Sequence, residues 1–276
     1  MKRATAQTLT LSLLLIIVLL FWITKSIGAQ EVEDESEFNY IKGSDKGPHR
    51  WGYLKEEWAA CKHGKMQSPI DMSHERVRII QKVEKRSYKP ANATISNRGH
   101  DIMVQFNGDA GAMFINGNEY LLSQVHWHST SEHTIHGRRY ALELHLVHQC
   151  FNQSVKNNVS VVAVLFKIGK PDKFLTELTP TIKTMIDLHE ERHLELVDPR
   201  RIKINNKRFY RYLGSLTVPP CTEGVIWTIS KKIMTVSKDQ VMLLREAVHD
   251  SAENNARPLQ PRNPRRDVHL MVPAKI

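Results

Sequence analysis

The middle of this 276-residue sequence lacks both a linker and an internal repeat. No stretch rich in glycine and serine, or in proline, divides it. Their absence argues against two small domains and favours one large domain. Hydrophobic residues make up 41% of the chain, which is enough for a sizeable core.

Nucleic-acid recognition motifs are also missing, although the formal net charge is +10. Lys2, Arg3 and Lys25 belong to a segment that we expect to be removed, and the loss of these three charges leaves +7. The other basic residues are scattered, apart from small clusters such as residues 262–266. This distribution favours a solvated basic surface over a nucleic-acid site, so no nucleic-acid partner is expected.

Long apolar runs are scarce, and the clearest one covers residues 9–23. Its length of about fifteen residues is short for a membrane span and typical of a signal-peptide core. We therefore predict a signal peptide over residues 1–29 and no stable membrane anchor after its removal. An uncleaved anchor is the alternative, because Lys25 closely follows the run. Residues 30–45 begin with an acidic stretch and are predicted to be a flexible lead-in.

Histidines are concentrated between residues 124 and 148. In a β-strand, residues two apart point to the same face, so His126 and His128 share a face. His145 lies on the next alternating run, and the polar segment 129–139 between the runs can turn the chain back. If the two strands pair antiparallel, three imidazoles converge. Three neutral nitrogens with one open position form the ligand set of a catalytic zinc site.

Two polar residues accompany these histidines in the same alternation. Gln124 precedes His126 by two residues, and Glu143 precedes His145 by two. Metal-bound histidines usually donate their second N–H to such a group, so we assign both residues to that supporting role. A single His-x-His pair in a histidine-rich chain is usually chance or a surface pair. The third histidine and the two polar partners strengthen the metal hypothesis.

The rest of the chain is predicted to be mainly β. Alternating or β-branched patterns indicate strands over residues 77–83, 102–106, 120–128, 141–148, 159–168 and 225–229. Helical patterns cover residues 174–188 and 238–249, and Ser237 with Gln240 forms a capping box before the second. The fold class is therefore mainly β (α+β), a single domain with a large, twisted, mostly antiparallel central sheet and short peripheral helices.

The histidine stretch resembles the zinc-site signature of the α-type carbonic anhydrases. Further motifs of that family follow in its order: HRWGY from residue 49, QSPIDM from 67, SNRGHD from 96, GSLTVPPC from 214 and RPLQPRN from 257. The resemblance covers about residues 49–261 and places the domain at residues 46–272. The variations look most like the secreted, plant-type branch.

This resemblance implies a zinc lyase that interconverts carbon dioxide and bicarbonate. Zinc held by the three histidines would lower the pKa of bound water, and the resulting hydroxide would attack CO2. Thr217 and Glu132 match the family's pair that orients the hydroxide, although by themselves they would be a loop threonine and a surface carboxylate. His100 matches the proton shuttle. Anions and sulfonamides are the implied inhibitors.

The resemblance also assigns the surroundings of the metal. It places an apolar substrate wall at Val147, Val161, Leu216 and Trp227, for which ordinary core packing is the alternative. His133 and His148 match histidines that support the site from outside. Cys61 and Cys221 match a recurring disulfide, which leaves Cys150 as a buried free thiol, and Ser68-Pro69 and Pro219-Pro220 match cis peptide bonds.

Three positions depart from the commonest family pattern. Val218 removes a hydroxyl from the pocket, Arg98 adds a positive charge near its rim, and Gln105 replaces an acidic residue on the cavity strand. We also expect Asp101 to raise the pKa of His100.

Three N-x-S/T sequons, at Asn92, Asn152 and Asn158, are candidate glycosylation sites if the chain is secreted. Asn92 and Asn152 lie in segments predicted to be polar loops, whereas Asn158 abuts a strand and is expected to be less accessible. The expected location is the secretory pathway, ending outside the cell or in the cell wall. A plastid reached through the secretory route is the alternative.

Two other functions compete with the lyase. Some members of the family are storage or binding proteins that have lost ligands, and the intact ligand set here argues against that. Other zinc hydrolases commonly carry an H-E-x-x-H motif on a helix; the match in this sequence, HEERH at residues 189–193, follows the predicted helix 174–188 instead of lying on it.

Overall fold

The two faces of the central strands carry different side chains, an apolar row on one face and a polar row on the other. Ile95, Val104, Val125, Leu146 and Val162 lie opposite one another on successive strands and are fully buried. The next residue on each strand points to the opposite face, since side chains alternate. One face of these strands therefore packs on the hydrophobic core, and the other is left for the polar row that contains two of the metal-candidate histidines.

The computed structural model describes residues 37–73, 77–81, 85–204, 208–263 and 267–273, all within one compact unit. Within these ranges the strands are β1 (Val77–Gln81), β2 (Lys85–Tyr88), β3 (Ala91–Asn97), β4 (Ile102–Phe106), β5 (Gly111–Ile115), β6 (Asn118–His128), β7 (Leu142–Gln149), β8 (Val159–Ile168), β9 (Glu191–Val197), β10 (Phe209–Ser215), β11 (Glu223–Ser230), β12 (Met234–Val236) and β13 (Val268–Val272).

These thirteen strands of the described residues form one sheet in the order β1-β13-β10-β11-β8-β7-β6-β4-β3-β9. Strand β12 also pairs with β8, and β5 pairs with both β2 and β6. Pairing is parallel for β1 with β13 and for β8 with β11 and β12, and antiparallel elsewhere. The predicted mainly β fold with a mostly antiparallel sheet is confirmed.

The helices of the described residues are short and lie outside the sheet. The α-helices are Trp51–Leu54, Ala60–His63, Lys173–Lys183 and Lys238–Ala247, and the 3-10 turns are Glu56–Trp58, Pro199–Arg201 and Asp250–Ala252. The capping box predicted at Ser237 and Gln240 is present.

The helix predicted over residues 174–188 ends earlier, at Lys183. Its last turn tightens into bonds between residues three apart, from Thr184 N to the Thr181 carbonyl and from Met185 N to the Ile182 carbonyl. Its buried Phe174 stacks on Trp127 at 6.1 Å between ring centroids. This contact packs the helix against the core face of β6, where Trp127 lies between His126 and His128.

Residues 37–45 differ from the flexible lead-in that was expected for residues 30–45. Phe38 is only 2% exposed, and its ring lies 5.3 Å from Trp51 and 6.2 Å from Trp58. Burial of these aromatic rings holds the segment on the domain, because each ring removes a large apolar area from water. Residues 30–36 of the predicted lead-in lie outside the described part of the chain.

Candidate metal centre

Strands β6 and β7 pair antiparallel and bring the three candidate histidines together. In their register, His126 lies opposite His145, and His128 lies opposite Glu143. Directly opposite residues share a face, so all four side chains project from the same side of the sheet. The polar segment 129–139 reverses the chain between the strands, as its sequence indicated.

The three imidazoles converge on one point. Nε2 of His126 lies 3.2 Å from Nδ1 of His145, and the ring of His128 is centred 4.6 Å from that of His145. One ring nitrogen from each histidine lies within 4.8 Å of the corresponding nitrogens of the other two. All three side chains are buried, with at most 2% of each residue exposed.

The second nitrogen of each ring is held by a hydrogen-bond acceptor. Nδ1 of His126 donates to Gln124 Oε1 at 2.8 Å, and Nε2 of His145 donates to Glu143 Oε1 at 2.7 Å. Nδ1 of His128 donates to the carbonyl oxygen of Asn255 at 2.8 Å. These bonds fix the tautomers, so each converging nitrogen carries a lone pair and no proton.

This donor set fits a zinc ion. The Nε2 atom of His128 is buried and has no hydrogen-bond partner among the described residues, which is costly unless another group binds it. Three neutral imidazole nitrogens around one point match a tetrahedral metal with a fourth position left for water. The geometry therefore satisfies what a metal would require of these residues.

Burial and nearby charges set the protonation of the ligands. Burial lowers the pKa of both His126 and His145, which keeps them neutral. Burial also disfavours a charge on His128, but the Glu132 carboxylate and the Asn255 carbonyl outweigh it and raise the pKa of that ring. The negative field that favours a proton on His128 also favours a metal cation at the same place.

Asn255 was not predicted from the sequence. Its side chain accepts from Ser129 N at 2.7 Å and donates to the carbonyls of His100 and Trp127. It lies 127 residues from His128 in the chain. Because its contact with His128 uses a backbone carbonyl, no residue type at this position could have revealed it.

A hydrogen-bond chain extends from His145 into the protein. Glu143 accepts from His145, from Nδ1 of His133 at 2.7 Å and from the backbone N of His133 at 2.8 Å. Nε2 of His133 then accepts from the Tyr212 hydroxyl at 2.7 Å, which in turn lies 2.8 Å from Ser68 Oγ. Burial opposes the charge of Glu143, but the bonds from the two histidines hold its pKa well below the usual range. The sequence did not single out Tyr212, and it pointed to Ser68 only for its peptide bond to Pro69.

Glu132 lies within the metal centre as a buried carboxylate. Its Oε1 accepts from the backbone N of Arg257 at 2.9 Å, and its Oε2 lies 3.7 Å from Nε2 of His128. Oε2 has no hydrogen-bond partner in the described part of the chain. Thr217 is buried as well, but no hydrogen bond joins it to Oε2. Glu132 is therefore not the surface carboxylate that its local sequence suggested, whereas Thr217 is a loop threonine that is buried.

Arg257 supports Glu132 from behind. Its guanidinium is buried and donates to Gln67 Oε1 and to the carbonyls of Ser68 and Cys61. Burial lowers its pKa to about 10, so it stays protonated at neutral pH. The side chain ties the carboxylate to the N-terminal part of the domain.

The predicted wall residues occupy the row beside the histidines. Gln124, Val147, Val161 and Trp227 lie opposite one another on β6, β7, β8 and β11. The Trp227 ring lies 4.9 Å from that of His145. Leu216 and Val218 are buried on either side of Thr217 in the segment after β10. An apolar surface therefore extends along the sheet beside the three candidate ligands.

The disulfide implied by the resemblance is present. Cys61 in the helix Ala60–His63 joins Cys221, which follows the Thr217 segment, over a separation of 160 residues. Cys150 is a buried free thiol. The Ser68-Pro69 and Pro219-Pro220 bonds are both cis. Covalent closure therefore links the N-terminal segment to the loop that carries Thr217.

His100, which the resemblance assigned as the proton shuttle, is enclosed in the structure. It is 2% exposed, its ring lies 5.3 Å from that of Phe38, and neither ring nitrogen has a hydrogen-bond partner among the described residues. Burial lowers its pKa to about 4, although Asp101 acts in the opposite direction. Asp101 does act to raise this pKa, as expected, but the loss of hydration outweighs the neighbouring charge and the pKa falls.

Arg98 and Gln105 are more constrained than their sequence positions suggested. The Arg98 guanidinium donates to both carboxylate oxygens of Asp101 at 2.8 and 2.6 Å and is buried. Its charge is thus compensated instead of standing free at the rim. Gln105 donates to the carbonyl of Ser123 at 2.9 Å.

His148 is enclosed on the far side of β7. Its Nδ1 donates to the carbonyl of Ser160 at 3.2 Å, and its Nε2 accepts from the Tyr88 hydroxyl at 2.7 Å. Burial lowers its pKa to about 3. It is therefore a neutral packing histidine that supports β7 from outside the ligand set.

The three sequons lie at exposed asparagines. Asn152 and Asn158 are exposed near the ends of the β7–β8 connection, so the lower accessibility expected for Asn158 is not observed. Asn92 is exposed too, but it lies in β3 and not in a loop. Strand β9 pairs alongside it, which the local sequence did not show.

The signal peptide predicted over residues 1–29 lies outside the described residues. In the described ranges, no helix is long and apolar enough to cross a membrane.

Known proteins resemble this chain in sequence and in fold. A family described as eukaryotic-type carbonic anhydrase matches residues 46–270. Alpha carbonic anhydrase 7 of Arabidopsis thaliana is 53% identical over 246 residues, covering 88% of each chain. The structure of dioscorin complexed with ascorbate superposes with a TM-score of 0.82 at 44% identity, covering 87% of this chain and all of that one. The α-carbonic anhydrase from Thermovibrio ammonificans, solved with the inhibitor sulfanilamide, gives a TM-score of 0.73 at 34% identity and covers 88% of this chain and 99% of that one.

Proposed function

Because the chain belongs to the eukaryotic-type carbonic anhydrase family, we propose that it catalyses the reversible hydration of carbon dioxide to bicarbonate and a proton. The observation that carries this proposal is the convergence of three buried imidazole nitrogens whose opposite nitrogens are all held by acceptors. Membership of this family supports a lyase reaction for the donor set.

His126, His128 and His145 would hold the zinc ion through Nε2, Nε2 and Nδ1. Bound there, zinc supplies a Lewis acid that lowers the pKa of water from 15.7 to about 7. Gln124, Glu143 and the Asn255 carbonyl keep the rings in the required tautomers. Neutral ligands leave the centre with a net positive charge, which favours deprotonation of water at neutral pH.

Glu132 and Thr217 would orient the attacking oxygen. If the carboxylate accepts a hydrogen bond from the Thr217 hydroxyl, the threonine oxygen can itself accept a hydrogen bond from the nucleophile. Arg257 N already occupies Oε1 of Glu132, so the buried Oε2 is the atom available to Thr217.

Carbon dioxide would bind on the apolar side of the ligands. Val147, Val161 and Trp227 continue the row beside His145, and Leu216 and Val218 flank Thr217. A weakly solvated, neutral molecule enters such a surface without losing hydrogen bonds, whereas the bicarbonate product is better solvated by water. The wall would therefore favour substrate over product next to the nucleophile.

Stopped-flow CO2 hydration on the purified mature chain tests the proposal. The zinc content is measured alongside, and His128→Ala is the inactive variant. Fast hydration with one zinc per chain, both lost in His128→Ala, is the expected result. His63→Ala, an exposed histidine in the helix Ala60–His63, is the matched control and should retain both. A folded, zinc-loaded wild type without hydration would overturn the proposal.

A storage or binding protein is the second candidate. Dioscorin dioA3 of Dioscorea japonica is 45% identical over 232 residues, and a dioscorin structure was solved with ascorbate. Zinc-independent ascorbate binding together with absent hydration would favour this function. The complete donor set, with every second nitrogen satisfied, favours the enzyme.

Sulfonamide inhibition and secretion complete the proposal. The similarity to a structure solved with sulfanilamide supports a sulfonamide as an anionic ligand of the same centre. The Cys61–Cys221 disulfide supports an oxidising compartment, as expected for the secretory pathway. We further propose that the exposed Asn92, Asn152 and Asn158 are glycosylated there, which the mass lost on enzymatic deglycosylation would measure.

A further inference from the structure

Strand β9 forms one edge of the sheet, and its second half is less protected than its first. Among the described strands, it pairs only with β3. Its first half is tied to the preceding segment, because Arg192 donates to the carbonyl of Thr184 at 3.0 Å and forms an ion pair with Glu190. Its second half, residues 194–197, carries a single charged side chain. A strand edge with so little charge is a template on which another chain can pair.

A β-bulge turns Leu196 away from the core. On β9, Leu194 lies opposite Ala93, and Leu196 lies opposite Asn92. Glu195 is therefore an extra residue in this strand. Without it, Leu194 and Leu196 would share the core-facing side, since side chains alternate. The extra residue shifts the alternation, so that Leu196 is 67% exposed while Leu194 packs against the core.

The residue directly opposite Leu196 is the asparagine of a sequon. The next pair along the two strands, Ala91 and Val197, packs on the core, so Asn92 and Leu196 project together from the other face. Asn92 is exposed, and the Cβ atoms of such opposite residues lie about 5 Å apart. A sugar joined to the Asn92 amide is therefore within reach of the Leu196 side chain. Its C–H groups can pack on that side chain while its hydroxyls stay in water.

We propose that an N-glycan on Asn92 covers Leu196 and prevents the second half of β9 from pairing with another copy of this chain. The inference rests on the glycosylation in the proposed function and not on catalysis. In the attachment step, the Asn92 amide nitrogen bonds to the anomeric carbon of a sugar, and the bond from that carbon to a lipid-linked diphosphate breaks. The diphosphate leaves with the displaced amide proton.

Attachment has to precede the pairing of β3. Thr94, the third residue of the sequon, is 3% exposed in the folded domain, and its Oγ1 accepts from Asn107 Nδ2 at 2.8 Å. A transferase that recognises the hydroxyl of the sequon therefore cannot reach it after folding. The glycan is thus already in place while the sheet forms, when unpaired strand edges are most open to other chains.

Hydroxyl-radical labelling of the mature chain, secreted from eukaryotic cells, tests the coverage. Mass spectrometry first locates the glycan on Asn92 of wild type. Leu196 should then be labelled several-fold less in wild type than in Asn92→Gln, which lacks the attachment site. Phe151, which is 68% exposed beside Asn152, is the internal control and should be labelled equally in both proteins. Equal labelling of Leu196, or a wild type without sugar on Asn92, would overturn the proposal.

The coverage can also be measured without a variant, should Asn92→Gln fail to fold. Enzymatic removal of the glycans from folded wild type should raise the labelling of Leu196 several-fold. Unchanged labelling after complete removal would show that the sugar does not cover this side chain.

Sedimentation velocity tests the protection of the edge. Wild type should keep one sedimentation coefficient over a concentration series in which Asn92→Gln forms larger species. The double variant Asn92→Gln/Leu196→Lys should return to the wild-type value, because a lysine on an edge strand opposes pairing. Asn152→Gln removes a proposed glycan from the β7–β8 connection and is the matched control, which should sediment as wild type. An Asn92→Gln variant that does not associate at any concentration contradicts this protection.

CO2 hydration by the same samples keeps this inference apart from the proposed lyase. A zinc-loaded, glycosylated wild type without hydration would overturn the lyase and leave the role of the glycan intact. An active wild type in which Leu196 is labelled as strongly as in Asn92→Gln would overturn the role of the glycan alone.

Discussion

The carboxylate of Glu143 accepts a hydrogen bond from Nε2 of His145 at 2.7 Å, and this bond decides which nitrogen of the ring faces the metal centre. With Nε2 protonated, Nδ1 carries the lone pair and lies 3.2 Å from Nε2 of His126. The other two histidines use the opposite arrangement, with Nδ1 bonded outward.

Replacing Glu143 with glutamine should weaken zinc binding about 10- to 100-fold. The glutamine keeps the size of the side chain but loses the negative charge that holds both His145 and His133. Competition with a chelator gives the zinc dissociation constant. Glu119→Gln changes an exposed carboxylate on β6 and is the control. Equal zinc affinity in the two variants would contradict the role of Glu143.

Replacing Glu132 with glutamine should lower kcat/KM for CO2 about 100-fold and leave the zinc content unchanged. The residue is not a ligand, and its Oε2 is the acceptor proposed for Thr217. Thr217→Ala should lower kcat/KM similarly, and the double variant should lose little more than either single variant. Glu195→Gln, which changes an exposed carboxylate on β9, should be neutral. Additive losses in the double variant would show that the two residues act separately.

Removing the disulfide should destabilise the domain. Closing a loop of 160 residues is worth about 5 kcal/mol in the chain-entropy model. At 2–4 °C per kcal/mol for a domain of this size, Tm should fall by about 10 °C or more in the Cys61→Ser/Cys221→Ser variant. Calorimetry with and without reductant measures it. Reductant should lower the Tm of wild type and of Cys150→Ala but not that of the double variant.

The stability of the protein should fall in acid partly because of His148. The folded-state pKa of this histidine is lowered to about 3 from 6.5, so the unfolded chain binds the proton more readily between these pH values. The cost is absent above about pH 6.5 and reaches about 2 kcal/mol at pH 5.

His148→Gln tests this cost, since glutamine can donate to Ser160 and accept from Tyr88 without titrating. Urea unfolding at pH 7 and pH 5 should show a loss of stability about 2 kcal/mol smaller in the variant than in wild type. The exposed His193→Ala is the control and should lose as much as wild type. An equal loss in all three proteins would mean that His148 is not held neutral.

Much of the site followed from short-range pattern. Alternation placed Gln124, His126 and His128 on one face, and the pairing of β6 with β7 then set His145 opposite His126. Strand 102–106 and strand 159–168 fall where the apolar alternation predicted them. Strand β9 was missed because its sequence, ERHLELV, carries four charged or polar residues and reads as an exposed segment. It becomes a strand only because β3 provides an edge for it to pair with.

Residue types and spacings within one or two strands were enough to predict the candidate ligand set, the mainly β class and the family. The surroundings of that site came from the packing of distant segments. Packing brought the Asn255 carbonyl to His128, paired Arg98 with Asp101 and enclosed His100 against Phe38. Burial and contacts between distant segments arise when the chain packs, so loss of hydration, which set the pKa of His100, could not be read from the residues beside it.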